Sequence, residues 1–232
     1  MDENTQTYQT PATPPLVPIA SNPWDNRKEL GFFNALFRTI VQVIKEPSKF
    51  FREMNKEEEY TEPLFFGAMT SIFTMIISYI WVIPLVFIMP MMLASIGQGS
   101  TEVFANSIGS IFQMVFQVVF GIIWIVPGLF INAGILHLGL LIFGANKNGY
   151  ANTFKVVCYS TSASALGVIP IIGWLLALYK IAVEIIGLRE THETTTGKAI
   201  LAWIIVPAIC CLLAMIAIIP FIGAILMAIG LD

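Results

Sequence analysis

The sequence predicts an all-α, polytopic transmembrane helix bundle of about five spans, preceded by amphipathic interfacial helices. Three observations carry that reading. No Asp, Glu, Lys or Arg occurs from Pro63 to Thr101, from Val103 to Asn146, or from Ala199 to Leu231. About 20 apolar residues cross the hydrocarbon core of a bilayer, and each run exceeds that length. The chain is 56% hydrophobic and 12% charged, against roughly 25% charged in soluble domains. A soluble fold of this composition would expose large apolar patches. Finally, the runs are continuous, whereas strands of a membrane barrel alternate apolar and polar residues over about 10 positions.

The elements follow in order. Residues 1–23 carry Pro11, Pro14, Pro15, Pro18 and Pro23 among Thr, Gln and Asn. That composition cannot offset its ordering entropy, so a disordered tail is expected. No basic run suited to nucleic acid and no secretory signal pattern is visible there, so the first span is expected to act as an uncleaved anchor. Residues 24–62 predict amphipathic helices and an acidic connector. Leu30, Phe33, Leu36, Phe37, Ile40, Val41 and Ile44 recur at the spacing of one helix face. Pro47 ends that helix and is suited to open the next. Phe50, Phe51 and Met54 then cluster beside Lys49 and Arg52. Phe33, Phe37, Phe50 and Phe51 are the candidate anchors in the membrane interface. Packing of this segment on the protein's own membrane helices is the competing reading, and the two are compatible. Lys56–Glu62 reads as an exposed connector.

Residues 63–232 form the expected membrane domain. The first span covers 64–94, long enough to require tilt, a kink at Pro84 or an exit near Pro90. A polar loop over 95–110 carries Gly97, Gly99 and Glu102, and a second span covers 111–144. Ala145–Asn152 reads as a turn. Pro170 and Gly173 divide 154–189 into two short apolar pieces. These fit two short spans, a re-entrant hairpin, or one span and an interfacial helix. The last span covers 199–229. No internal repeat is evident, which argues against an inverted-repeat transporter.

Charge sets the expected topology. Seven of the 12 Lys and Arg residues precede the first span, and the 95–110 loop has none. Lys147, Lys155, Arg189 and Lys198 flank the later turns. Basic loops stay on the cytoplasmic side, so the N-terminus is expected inside and the C-terminus outside. Five crossings, or three with a re-entrant hairpin, satisfy this.

An ordered set of short motifs resembles the Yip domain family of multi-pass proteins, named for interaction with Ypt/Rab GTPases. It comprises His137-Leu138, Phe143-Gly144, Gly149-Tyr150, Thr153-Phe154-Lys155, Tyr159-Ser160, Ile169-Pro170-Ile171-Ile172-Gly173, Ile186-Gly187-Leu188, His192 and Lys198-Ala199. The upstream Pro47–Phe51 segment is similar to prokaryotic members, and the likeness covers about residues 40–230. It implies five spans, a cytoplasmic N-terminus and, in a prokaryote, the inner cell membrane. Eukaryotic relatives are linked to Rab binding, vesicle traffic and membrane shaping. The acidic Leu-Tyr-Gly-Pro type motif of their N-terminal region has no counterpart here, which argues against a Rab-type GTPase partner.

Candidates for chemistry are few. Lys180 and Glu184 lie one helical turn apart within apolar sequence, where ionisable groups normally pair or face a cavity. The favoured reading is an interfacial pair with Lys180 extended toward headgroups, so that changing either residue matters little. Asn132 and His137 are further polar candidates within the second span, and helix packing is their favoured role. His192 lies in the polar stretch Arg189-Glu190-Thr191-His192-Glu193, which reads as a solvated loop rather than a metal site. Ser160, Ser162 and Ser164 among Ala163, Ala165 and Gly167 suit close helix packing; no positioned base marks a nucleophile. Cys158, Cys210 and Cys211 read as small apolar residues. The sequence therefore predicts a non-enzymatic protein without cofactor or metal, whose partners are the lipid bilayer and other membrane proteins or further copies of itself. The alternative is a small transporter or channel built on Lys180 and Glu184.

Overall fold

The computed structural model describes residues 22–95, 100–168 and 173–228, and every regular element among them is helical. Helices α1 (Arg27–Leu30), α2 (Phe32–Lys45) and α3 (Pro47–Glu53) precede three long helices and two short ones. The long ones are α4 (Thr61–Ser95), α5 (Ser100–Ile142) and α8 (Thr196–Ala228). The short ones are α6 (Gly149–Ser164), continued by a 3₁₀ turn over Ala165–Val168, and α7 (Gly173–Thr191). Three segments, Thr61–Val86, Ile108–Ile142 and Thr196–Pro220, are long and apolar enough to cross a membrane. Most of the disordered tail expected over 1–23 lies outside the described residues, as do 96–99, 169–172 and 229–232.

The fold is organised around α6. Every residue from Ala151 to Ala163 is buried, and α2, α4, α5 and α7 all pack on this one helix. Small residues set the spacing. A side chain on Gly67 of α4 would sit 3.1 Å from the Cys158 backbone. Across that contact the Thr70 and Thr161 hydroxyls lie 2.9 Å apart. Gly139 brings α5 still closer to α8, since a Cβ there would lie 2.5 Å from the Ala202 carbonyl oxygen.

The amphipathic segment belongs to this core. Ala35, Leu36, Thr39 and Val43 form the buried face of α2, which packs on α6. The Tyr179 hydroxyl of α7 donates to the Ile44 carbonyl at 2.6 Å, satisfying an end of α2 that lacks an intrahelical partner. Pro47 stands at the first position of α3, where its missing N–H costs nothing. Phe50 and Phe51, expected at the lipid interface, are instead enclosed by protein, 2% and 0% exposed. Phe50 meets the Tyr159 ring edge to face. Phe51 enters the space left by Gly187, where a Cβ would approach its ring to 3.1 Å. Burying each such ring contributes about 1.5–3 kcal/mol relative to leaving it in water. Phe33 and Phe37 point outward, 80% and 67% exposed.

Two boundaries differ from expectation. The tail ends earlier than Pro23: Asn22 and Trp24 are buried, and Asn22 donates to the Tyr159 hydroxyl at 2.8 Å. The polar loop over 95–110 is mostly helix, because α5 already begins at Ser100. Nothing from Thr101 to Ser110 except Gly109 breaks a helix, so polarity alone did not mark a loop.

The α5–α6 and α7–α8 turns share one geometry. At the first, Gly144 adopts φ 58°, with Ala145 N–H donating to Leu140 and Gly144 N–H to Leu141. This is the paired-bond helix stop that favours glycine. At the second, Glu193 takes the glycine position with φ 48°, and Thr194 N–H donates to Arg189. A non-glycine residue there is strained by about 1–2 kcal/mol, so other contacts must hold Glu193.

The α5–α8 contact gives a clean test. Gly139→Ala should lower thermal stability in detergent by about 1–3 kcal/mol, the usual cost of overpacking. Gly134→Ala, on the same helix with nothing within 4 Å, should be neutral. Equal stability of the two variants would rule out the close approach at Ala202.

Candidate functional site

The polar side chains gather at the end of the bundle formed by the two turns, the start of α6 and the connector after α3. Lys155 lies one and a half turns into α6 and is 3% exposed. Its ammonium donates to the carbonyls of Asn55 at 2.9 Å and Glu57 at 2.5 Å. A buried ammonium is tolerated only with such acceptors, so the connector serves as a polar seat for α6. Asn152 adds to it, donating to Lys56 O at 3.0 Å and Asn148 O at 2.7 Å.

Ion pairs close the same end from outside. Arg52 of α3 reaches Glu190 of α7 through two hydrogen bonds of 3.0 and 3.2 Å. Arg189 also bonds Glu190 and donates to the Ser48 hydroxyl. These arginines hold the Glu190 carboxyl below the usual range. Lys56 pairs with the Glu193 carboxylate at 2.5 Å, and Lys147 donates to the Glu193 carbonyl at 2.9 Å. Two lysines from separate segments thus fix the strained residue of the second turn.

Inside this ring lies a hydrogen-bonded chain that spans three elements. Thr153 Oγ1 on α6 is 2.9 Å from His192 Nε2 and 3.0 Å from His137 Nδ1 on α5. The Asn148 N–H points at His192 Nδ1, 3.4 Å away, so that nitrogen accepts and Nε2 carries the proton. His192 donates to Thr153, and the Thr153 hydroxyl and His137 Nδ1 share the next hydrogen bond. His192 is fully buried. Burial, with His137 and Lys56 nearby, lowers its pKa to about 4, so it is neutral near pH 7. His192 is therefore a core residue, not part of a solvated loop. Among the described residues no group of three or more His, Cys, Asp or Glu is placed to share a metal ion.

Lys180 and Glu184 form a second, separate polar element. Glu184 is 3% exposed, which corrects the expectation of an interfacial pair. One carboxylate oxygen accepts from Trp203 Nε1 of α8 at 2.8 Å. The other lies 3.0 Å from the Lys180 ammonium, without hydrogen-bond alignment. The pair thus joins α7 to α8. Asn132 is half-buried, and among the described residues no hydrogen bond or ion pair links Asn132 or His137 to it. Ser160 and Ser162 are buried in α6 with unbonded hydroxyls, in keeping with packing and without the base a nucleophile needs.

Sequence reasoning missed Thr153, Trp203 and the connector carbonyls. Thr153 and Lys155 do fall inside a recognisable motif, but nothing local indicates their partners.

The Yip1 domain family model matches residues 41–229, and the chain belongs to that family, whose members are integral membrane proteins with apolar helices. The match covers both polar elements described above. No curated protein and no solved structure matches the chain.

An unfolded His192 takes up its proton near pH 6.5 and the folded one near pH 4, so the unfolded state binds more protons between those values. Stability should therefore fall as pH drops below about 6.5. The melting temperature of wild type should decline from pH 7.5 to 5.0, and His192→Gln should decline clearly less; parallel declines would contradict the buried neutral histidine. For the second element, Lys180→Gln leaves a buried carboxylate uncompensated, a loss of about 3 kcal/mol. Glu184→Gln should cost less, because Lys180 is 31% exposed and can turn to water. The double variant should recover part of the Lys180→Gln loss, and equal, small effects in all three would restore the interfacial reading.

Proposed function

We propose that this Yip1-domain protein is a non-enzymatic organiser of the membrane, crossing the bilayer about five times with α1–α3 lying in the cytoplasmic interface. The observation that carries the proposal is the two-faced α2. Its inner face is fixed to α6 while Phe33 and Phe37 project outward beside Arg38 and Lys45. A rigidly mounted amphipathic helix inserts into one leaflet only, and its area there favours curvature or gathers proteins that share it. Other membrane proteins or further copies of this chain are the partners this role implies.

The turn contacts support the odd number of crossings. Lys147 bonds Glu193, and Lys198 donates to the Gly144 carbonyl at 3.3 Å, so the α5–α6 and α7–α8 turns lie side by side. With the basic N-terminal segment at the same end, the positive-inside rule assigns that end to the cytoplasm and the C-terminus to the outside. The Lys180–Glu184 pair serves here as a clamp between α7 and α8. A transport pathway would instead require polar groups converging on a water-filled space.

Purified full-length protein reconstituted into liposomes provides the test. Wild type should reduce vesicle diameter or draw tubules in electron micrographs, and Phe33→Glu with Phe37→Glu should abolish this at unchanged melting temperature. Unaltered vesicles with wild type would overturn the proposal, and solute flux lost on changing Lys180 or Glu184 would replace it with a transporter.

A further inference from the structure

Two clefts meet at Phe37, and they differ in chemistry. One, of about 280 Å³, runs between α2 and α4 and is wholly apolar. Phe32, Leu36 and Ile40 line it from α2, and Met69 and Phe73 from α4, with Phe33 and Phe37 at its edge. The other, of about 340 Å³, lies along the outer face of α2, bounded by Phe37, Arg38, Val41, Gln42, Lys45 and Glu46.

The charges around the second cleft are unevenly satisfied. Arg38 uses Nε to bond Asn34 at 2.9 Å, and its two Nη groups have no partner among the described residues. Lys45 has no ion pair among them either, whereas Glu46 is paired with Lys49 at 3.6 Å. An exposed apolar groove therefore adjoins two cations that have no counter-charge among the described residues, on a helix proposed above to lie at the level of lipid headgroups.

We infer that α2 and α4 form a binding site for one anionic phospholipid, with an acyl chain in the α2–α4 groove and the phosphate at Arg38 and Lys45. This rests on the interfacial placement of α2 proposed above. Charge complementarity selects the occupant: a zwitterionic lipid would fill the groove, but its own headgroup cation offsets the phosphate and leaves the two cations without a net counter-charge, and an inorganic phosphate would leave the groove empty. Guanidinium and ammonium groups together suit a phosphate diester whose position is fixed by its own acyl chain. Because the groove is walled by two helices, a bound chain would bridge the N-terminal segment to the first long helix. The site would thus couple lipid composition to the packing of α2.

Native mass spectrometry of the full-length protein, delipidated and then given equal phosphatidylglycerol and phosphatidylcholine, tests the assignment. Wild type should retain one phosphatidylglycerol with at least fivefold preference. Arg38→Gln with Lys45→Gln should remove the preference while keeping some lipid, and Ile40→Trp, which fills the groove, should reduce retention of both. Unchanged melting temperatures would show that each variant folds. Equal retention of the two lipids by wild type, or undiminished lipid retention in Ile40→Trp, would overturn the site. Inorganic phosphate that displaces the lipid would equally overturn it, since the groove would then contribute nothing. Vesicle remodelling without lipid selectivity would leave the membrane-organising role standing and remove only this site.

Discussion

A lysine ammonium cannot be buried in an apolar bundle unless oxygen atoms surround it. Lys155 meets that constraint with two carbonyls from the connector between α3 and α4. The consequence extends well beyond one side chain. Because α6 carries Asn152, Thr153, Lys155, Ser160, Thr161 and Ser162 in its buried surface, lipid is a poor environment for it. It needs protein on every side, and α2, α4, α5 and α7 supply it. The N-terminal helices are thereby part of the bundle, with a core cluster that runs from Trp24 to Ala202.

That arrangement divides the molecule into two regions of different character. Around α6 the side chains interdigitate, ring against ring and carbonyl against ammonium. Away from it, α4, α5 and α8 continue as helices whose large apolar residues, such as Ile80, Phe116 and Leu212, are exposed. Those helices suit lipid, because their backbone groups are satisfied internally and their surfaces are apolar. Among the described residues, the tightly built region carries nearly all of the ion pairs and buried hydrogen bonds, and it is the region in which α2 is mounted. A helix held this firmly on one face transmits whatever its other face meets, so the proposed role rests on the outward Phe33 and Phe37, while the buried Phe50 and Phe51 belong to the core.

The long helices were legible because uninterrupted apolar sequence has few solutions in water and an easy one in a bilayer. The face of α2 was legible too, since its period is helical; what covers that face was not, because periodicity identifies an apolar stripe without naming its partner. The reversal at Phe50 and Phe51 has that origin, as Gly187 lies far away in sequence. Composition misplaced Asn22, whose partner Tyr159 is 137 residues distant. The pairing of Lys180 with Glu184 could be read from one-turn spacing. The burial of Glu184 depends on Trp203 of another helix and could not. His137, Thr153 and His192 are individually unremarkable in the sequence, and only the fold makes them a chain.

Through α6, α1–α3 and the bundle form one body. Double electron–electron resonance on the full-length protein in nanodiscs tests it most directly, with spin labels at Glu29 beside α2 and Thr195 in the α7–α8 turn. Both positions are exposed, so the labels should not disturb packing, and the three native cysteines can be replaced by alanine. A single narrow distance distribution is expected, broadening when Lys155→Met removes the seat for the connector. A broad distribution in the protein with Lys155 intact would contradict it, because α1–α3 would then move independently of the bundle.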